Sequence, residues 1–134
     1  MEKLILSIVT PYGSIYEGEV KHVIMPGKEG EFDVFPGHFS LLSLLKTGVI
    51  EFEDMQGGKG IIAINWGHAQ VSTSPNETDV KIIADGAVAI KGNTETEIAQ
   101  ALNNAKTLIA EASEDTAHAA MVIAHAEYAA KNRI

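Results

Sequence analysis

The sequence predicts a segregated α+β fold: an N-terminal antiparallel β-sandwich of about ten strands over residues 1–85, then a linker and a C-terminal antiparallel α-helical hairpin over residues 86–134. Ten of the twelve glycines and all four prolines fall within the first 75 residues, where turns must be frequent. The same stretch alternates apolar and polar side chains at period two. Beyond Asp85 there are fourteen alanines against three before it, and neither proline nor phenylalanine, which is the composition of a helix former.

Within the first part, Leu4, Leu6 and Ile8 alternate with Lys3 and Ser7. Val20, His22 and Ile24 oppose Lys21, Val23 and Met25, and Val49, Glu51 and Glu53 oppose Ile50 and Phe52. Gly60–Ile64 is a continuous apolar run suited to burial on both faces, preceded by Met55–Lys59 as a hairpin loop. Further strands are expected at His68–Thr73 and Thr78–Ile83. Strands at this spacing, with no helical period between them, predict two packed antiparallel sheets. In the second part, Thr94-Glu95-Thr96-Glu97 is a capping box that starts a helix. Ile98, Ala101, Leu102, Ala105, Leu108, Ile109 and Ala112 form one stripe. Ser113-Glu114-Asp115 offers a break and a new N-cap, after which Ala117, Ala120, Met121, Ala124 and Tyr128 form the expected second stripe. A seam made mostly of alanine buries little area per residue, so the hairpin needs something to dock on.

The chain has 134 residues, 46% of them hydrophobic, enough for one domain with a core or a small domain with an appendage. Its net charge is −8, and residues 1–85 hold 12 acidic against 6 basic side chains, which argues against nucleic acid as a partner. With no cysteine, disulfide scaffolds, thiol nucleophiles and thiolate metal sites are excluded. No window approaches the roughly 18 apolar residues of a membrane span, and the N-terminus lacks a signal-peptide core, so a soluble or partner-held protein is expected.

A search for chemistry finds no autonomous active site. His118 and His125 stand seven apart, about 10 Å along a helix, too far to share a metal and better read as surface or docking residues. His22, His38 and His68 could converge on folding, but ordinary sheet and loop histidines are the stronger reading. Glu51 and Glu53 share a strand face, as catalytic carboxylates might, yet an acidic solvent face fits better. Gly57-Gly58-Lys59-Gly60 lacks the earlier glycine, the hydroxyl residue and the helix of a phosphate loop. The unusual segment is Met25–Leu42, where Pro26-Gly27 and Pro36-Gly37 bracket Glu29-Gly30-Glu31. Proline φ and glycine freedom are expected to fix two turns there and present Glu29 and Glu31 on an exposed tip.

This segment resembles the epsilon subunit of the rotary, proton-translocating F-type ATP synthase of bacteria and chloroplasts. The residues that carry the resemblance are Met25-Pro26-Gly27, Glu29-Gly30-Glu31-Phe32, Val34, Pro36-Gly37-His38, Leu41-Leu42 and Lys46-Thr47-Gly48-Val49-Ile50. It extends through Asn65-Trp66-Gly67-His68-Ala69-Gln70-Val71 to the alanine-rich tail, so it covers the whole chain. The resemblance implies a ten-stranded sandwich and helical hairpin in the central stalk, a non-catalytic rotor subunit between the gamma subunit and the ring of c subunits. By similarity, Glu29, Gly30 and Glu31 would face the polar loops of the c-ring, and His38 would lie near gamma or the ring. The hairpin would fold on the sandwich or extend towards the catalytic beta subunit and restrain ATP hydrolysis, with Lys131, Arg133, His118 and His125 as its candidate regulatory side chains.

Nucleotide-binding members carry an Ile/Leu-Asp-x-x-Arg-Ala signature on the first helix. Here Ala99 and Leu102 stand where that pattern has Asp and Arg, which argues against ATP as a cofactor of this hairpin. The resemblance also places the protein at the cytoplasmic face of a bacterial inner membrane, peripheral and held there only through the complex. Two other readings of the residues stay open at this level: a free-standing β-sandwich interaction module whose helices dimerise, and a metal-dependent hydrolase using His22, His38 and His68.

Overall fold

The computed structural model describes residues 2–92, 94–112 and 115–133, except for the side chains of Asn132 and Arg133. The elements are β1 (Lys3–Thr10), β2 (Gly13–Gly27), β3 (Gly30–Val34), β4 (Leu41–Leu45), β5 (Gly48–Asp54), β6 (Lys59–Ile64), β7 (Gly67–Thr73), β8 (Glu77–Ala84) and β9 (Ala87–Ala89), followed by α1 (Glu95–Ala112) and α2 (Thr116–Arg133). Sandwich followed by helical hairpin is therefore the architecture, with nine strands rather than ten among the described residues. β9 lies beyond residue 85, in the stretch that composition suggested was linker, and pairs with β6 from Ile62↔Ala89 to Ile64↔Ala87.

The strands follow one hydrogen-bonded path, β1-β8-β7-β4-β2-β5-β6-β9, with β3 attached to β2 and β1 also paired to β2. The last pairing closes a ring of five strands and leaves β5, β6 and β9 as a flap. One pair departs from the antiparallel expectation: β1 and β8 run parallel from Lys3↔Glu77 to Val9↔Ile83. Parallel partners need a long connection between them, and the six intervening strands supply it.

Leu4, Leu6 and Ile8 are all buried, as the alternation predicts. β2 breaks its own alternation. Val20 is buried, but Val23 and Met25 follow it inward while His22 and Ile24 are only half-buried. The cause is a bulge between Val20 and His22 in the pairing with β5, which adds one residue and exchanges the two faces. β6 meets the expectation for a run buried on both sides: Ile62 and Ile64 enter the core of the sandwich with Leu4, Leu6, Ile50 and Ile82. Ile61 and Ala63 point the other way, joining Val49 and Ile90 under Ala105, Ile109, Ala119, Val122, Ala126 and Ala129 of the helices.

Both helix starts are capped as predicted. The Glu97 N–H donates to Thr94 Oγ1 at 3.1 Å, and the Ala117 and His118 N–H groups donate to Asp115 Oδ1 at 3.0 and 3.2 Å. Ser113 and Glu114, the rest of the predicted break, lie outside the described residues. The α1 stripe docks through Ala105 and Ile109. For α2 the expected face is the wrong one: Ala119, Val122, Ala126, Ala129 and Ala130 are buried, whereas Met121 is 72% and Tyr128 70% exposed. In a helix so rich in alanine both faces read as apolar, and the face that packs is the one whose small side chains let the backbone approach the sheet closely.

On the far edge of the ring, a hydrogen bond shared with Glu77 holds the Asp79 carboxyl above the usual carboxylate range, with partial burial and the charge of Glu77 adding to it and Lys3 opposing it. A raised pKa in the folded state means the ionised form is penalised there, so this site loses stability as pH rises through the carboxylate range. Asp79→Asn should therefore raise the unfolding free energy at pH 7, by at most about 0.5 kcal/mol for an exposed group. The gain should shrink as pH falls through the ordinary Asp range, where the Asp79 carboxyl is protonated in the folded and the unfolded state alike; an unchanged unfolding free energy at pH 7 contradicts this account.

Candidate functional site

The Met25–Leu42 segment builds its tip differently from the expectation. Pro26 and Gly27 do not form the turn; they are the buried end of β2, where Met25↔Phe32 and Gly27↔Gly30 continue the ladder to β3. The turn itself is the two-residue loop Lys28-Glu29. Gly30 has φ +138°, a conformation that side chains with a Cβ rarely adopt, and so sets the return. Glu29 and Glu31 are both exposed on either side of it. The second pair behaves as predicted, with Pro36 and Gly37 in a turn and Gly37 at φ +89°.

Two contacts anchor the tip from below. The Lys28 N–H donates to the Leu44 carbonyl at 2.8 Å and the Lys46 N–H to the Pro26 carbonyl at 3.0 Å. Gly48 packs so closely on Pro26 that a Cβ there would sit 2.5 Å from the proline Cβ. Thr47, buried, donates its hydroxyl to the Asn65 carbonyl. The turn is thus fixed to the β4–β5 connection rather than waving free of it.

His38 is half-buried after the second turn, its Nδ1 2.8 Å from the Phe39 carbonyl. Its ring stacks on Phe39 with centroids 4.4 Å apart. Phe39, Leu42 and Leu44 are exposed beside it, an apolar neighbourhood on the opposite side of β4 from the core. His22 lies elsewhere: its Nδ1 pairs with Asp33 Oδ1 at 3.0 Å, and its ring stacks on Phe35. His68 is exposed on β7 opposite Ile83. The three histidines do not share a metal centre, and among the described residues no group of three or more His, Cys, Asp or Glu is placed to hold an ion.

Glu51 and Glu53 share a face of β5 but have separate partners. Glu53 lies between Lys21 at 3.2 Å and Lys59 at 3.5 Å, and the hydrogen bond from Lys21, with the charges of both lysines, holds its carboxyl below the usual range. Glu51 instead receives the hairpin, with Oε2 3.0 Å from His125 Nε2. One turn pair earlier on α2, His118 Nε2 lies 3.1 Å from the Thr47 carbonyl and donates to it. The two histidines are docking residues, each fastening α2 to β5 or the residue just before it. Lys131 is exposed near the end of α2, and the side chain of Arg133 lies outside the described residues. Thr47 and Glu51 as hairpin partners were not legible in sequence, because each is defined by a contact more than 70 residues away along the chain.

A closed five-stranded ring with a β5–β6–β9 flap and a helical hairpin laid over that flap defines a class, and the comparisons identify it. Residues 3–90 match the family model described as ATP synthase, Delta/Epsilon chain, beta-sandwich domain. The chain is 66% identical over 134 residues to the ATP synthase epsilon chain of Helicobacter hepaticus, covering all of this chain and 99% of that one. It is 48% identical to the ATP synthase epsilon chain of Wolinella succinogenes, again over 134 residues, covering all of this chain and 99% of that one. Among solved structures it is similar to a chain of the cryo-EM structure of the Euglena gracilis mitochondrial ATP synthase, OSCP/F1/c-ring in rotational state 1, with a TM-score of 0.61, 26% identity, and coverage of 96% of this chain and 76% of that one. A chain of the Tetrahymena thermophila mitochondrial ATP synthase central stalk/c-ring structure shares the fold, with a TM-score of 0.52, 15% identity, and coverage of 80% and 92%. The chain belongs to the ATP synthase epsilon-chain family.

Because Gly30 carries the backbone conformation that shapes the tip, Gly30→Ala should cost about 1–3 kcal/mol in the unfolding free energy. Its Cβ would meet nothing within 4 Å, so the loss comes from the backbone alone. Equal midpoints for wild type and the alanine variant would show that the turn does not depend on this φ.

Proposed function

We propose that this chain is the non-catalytic rotor subunit that links the gamma subunit to the c-ring in the central stalk of a proton-translocating ATP synthase, and that its hairpin restrains ATP hydrolysis when released from the sandwich. The observation that carries the first part is the Glu29-Gly30-Glu31 tip, rigidly anchored through Pro26, Leu44 and Lys46, and exposed. A closed sheet with its apolar side chains interdigitated resists shear, which is what a part that passes torque requires. Glu29 and Glu31 are the contact for polar c-ring loops, and His38 with exposed Phe39 and Leu42 is the contact for gamma or the ring.

The second part rests on the docking of the hairpin. Its seam is mainly alanine, and the two histidine contacts to Thr47 and Glu51 are worth about 0.5–1.5 kcal/mol each at most. A few kilocalories then separate the docked and released arrangements, the range in which a partner can shift the balance. In the released state Lys131 and Arg133 would be carried towards the catalytic beta subunit. The helix lacks the Asp and Arg of nucleotide-binding relatives at Ala99 and Leu102, so the switch is proposed to work without bound ATP. Membrane association is indirect in this reading, since no described helix is long and apolar enough to cross a bilayer.

A tagged chain drawn from detergent-solubilised membranes of the source cell should bring down gamma, c and the catalytic subunits; recovery of the chain alone as a stable oligomer would instead favour a free-standing interaction module. Removing residues 92–134 from the assembled complex should raise its ATP hydrolysis rate, and an unchanged rate would end the proposal of restraint by the hairpin while leaving the rotor assignment in place.

A further inference from the structure

The proposed ring-facing turn and the docked hairpin are not separate places on the surface. Glu31 of β3, Pro26 at the end of β2, Lys46 and Thr47 of the β4–β5 connection, and His118, Met121 and His125 of α2 line one open cleft of about 240 Å³. The two histidines hold α2 against that cleft through Thr47 and Glu51. Met121, on the helix turn between them, is 72% exposed and stands at the rim with no core role.

We infer that docked α2 completes the ring-facing surface, so that the surface a partner meets at Glu31 exists in full only while the hairpin is down. The inference rests on the rotor reading above and adds a partner chemistry and a regulation to it. One wall of the cleft supplies carboxylate, from Glu31 beside the exposed Glu29. The other supplies a polarizable thioether from Met121, with the imidazoles behind it. The occupant that fits is a polar loop of the c-ring that carries an arginine or lysine next to an apolar side chain: the cation meets Glu31 and the apolar group meets Met121. When the hairpin leaves, the α2 wall and its thioether leave with it, and the carboxylate wall alone remains.

Linkage makes this reciprocal. If the docked state binds the ring better, ring binding must favour docking by the same factor. Engagement with the ring therefore holds the hairpin down, and loosening of that contact favours its release.

The test uses the full chain and detergent-purified c-ring as the probe. Met121→Ala leaves the buried seam untouched and should weaken ring binding about three- to tenfold, the range of a well-placed contact at an interface. The double variant His118→Ala/His125→Ala should free α2 and weaken binding at least as much, while the sandwich keeps its unfolding transition. In the wild-type chain, added ring should slow amide hydrogen exchange across α2, a readout that a purely local role for Met121 would not move. Wild-type binding that both variants leave unchanged, or α2 exchange indifferent to the ring, overturns the composite surface and leaves the rotor reading intact. Failure of the wild-type chain to bind the ring at all, alone or with gamma, overturns the rotor reading itself.

Discussion

Burial of β6 on both faces is the constraint from which the rest of the architecture follows. Ile62 and Ile64 are committed to the sandwich, so Ile61 and Ala63 necessarily face outward, together with Val49 and Ile90. Left uncovered, those four would form a contiguous apolar patch on the flap, and covering it is what gives the hairpin a place to sit. The cover is mostly alanine, with Ile109 and Val122 among it, so the helices lie close over the strands. Larger side chains would lift them off and lose the histidine contacts to β5. The packed sandwich and the seat of the hairpin thus both follow from one strand's composition.

The anchoring of the acidic tip follows similar logic. A carboxylate pair on a free loop would lose conformational entropy on meeting any partner. Here Gly48 lies flat against Pro26, and two backbone hydrogen bonds tie Lys28 and Lys46 across the connection. The ordering cost has been met by folding, before any partner arrives. The same connection carries Thr47, whose carbonyl receives His118, so the tip and the hairpin share one piece of backbone.

Much of this was readable in the sequence and some was not, for identifiable reasons. The capping residues Thr94 and Asp115 act locally, and a local signal is visible in a linear sequence. The apolar run at Gly60–Ile64 announced burial on two faces because period two was absent. By contrast, strict alternation puts Val20 on one face of β2 with His22 and Ile24, whereas it shares its face with Val23 and Met25, because a bulge leaves no mark in composition. The docked face of α2 was missed because Met121 and Tyr128 are its largest apolar side chains, and hydrophobicity alone favours the bulky face over the close-packing one. At the tip, the two Pro-Gly pairs looked equivalent, yet Pro26-Gly27 ends a strand and Gly30 makes the turn, since strand pairing across Gly27↔Gly30 outweighs the turn preference of a dipeptide. The His118 and His125 acceptors lay beyond reach of any local argument.

The parallel pairing of β1 with β8 bears on how the protein is made. β1 can pair with β2 as soon as the first 27 residues are free, since that hairpin is local. Its other edge has to wait for a strand that ends at Ala84, the longest loop closure in the sandwich. During synthesis at roughly 5–20 residues per second, Ile5, Ser7 and Val9 therefore present an open strand edge for several seconds before β8 arrives to seal it. The ring cannot close before then, and the hairpin, encoded last, reaches a flap whose inner face is already packed. Chain order thus makes the hairpin the final element to fold, so that any local opening of it retraces only the last step of assembly.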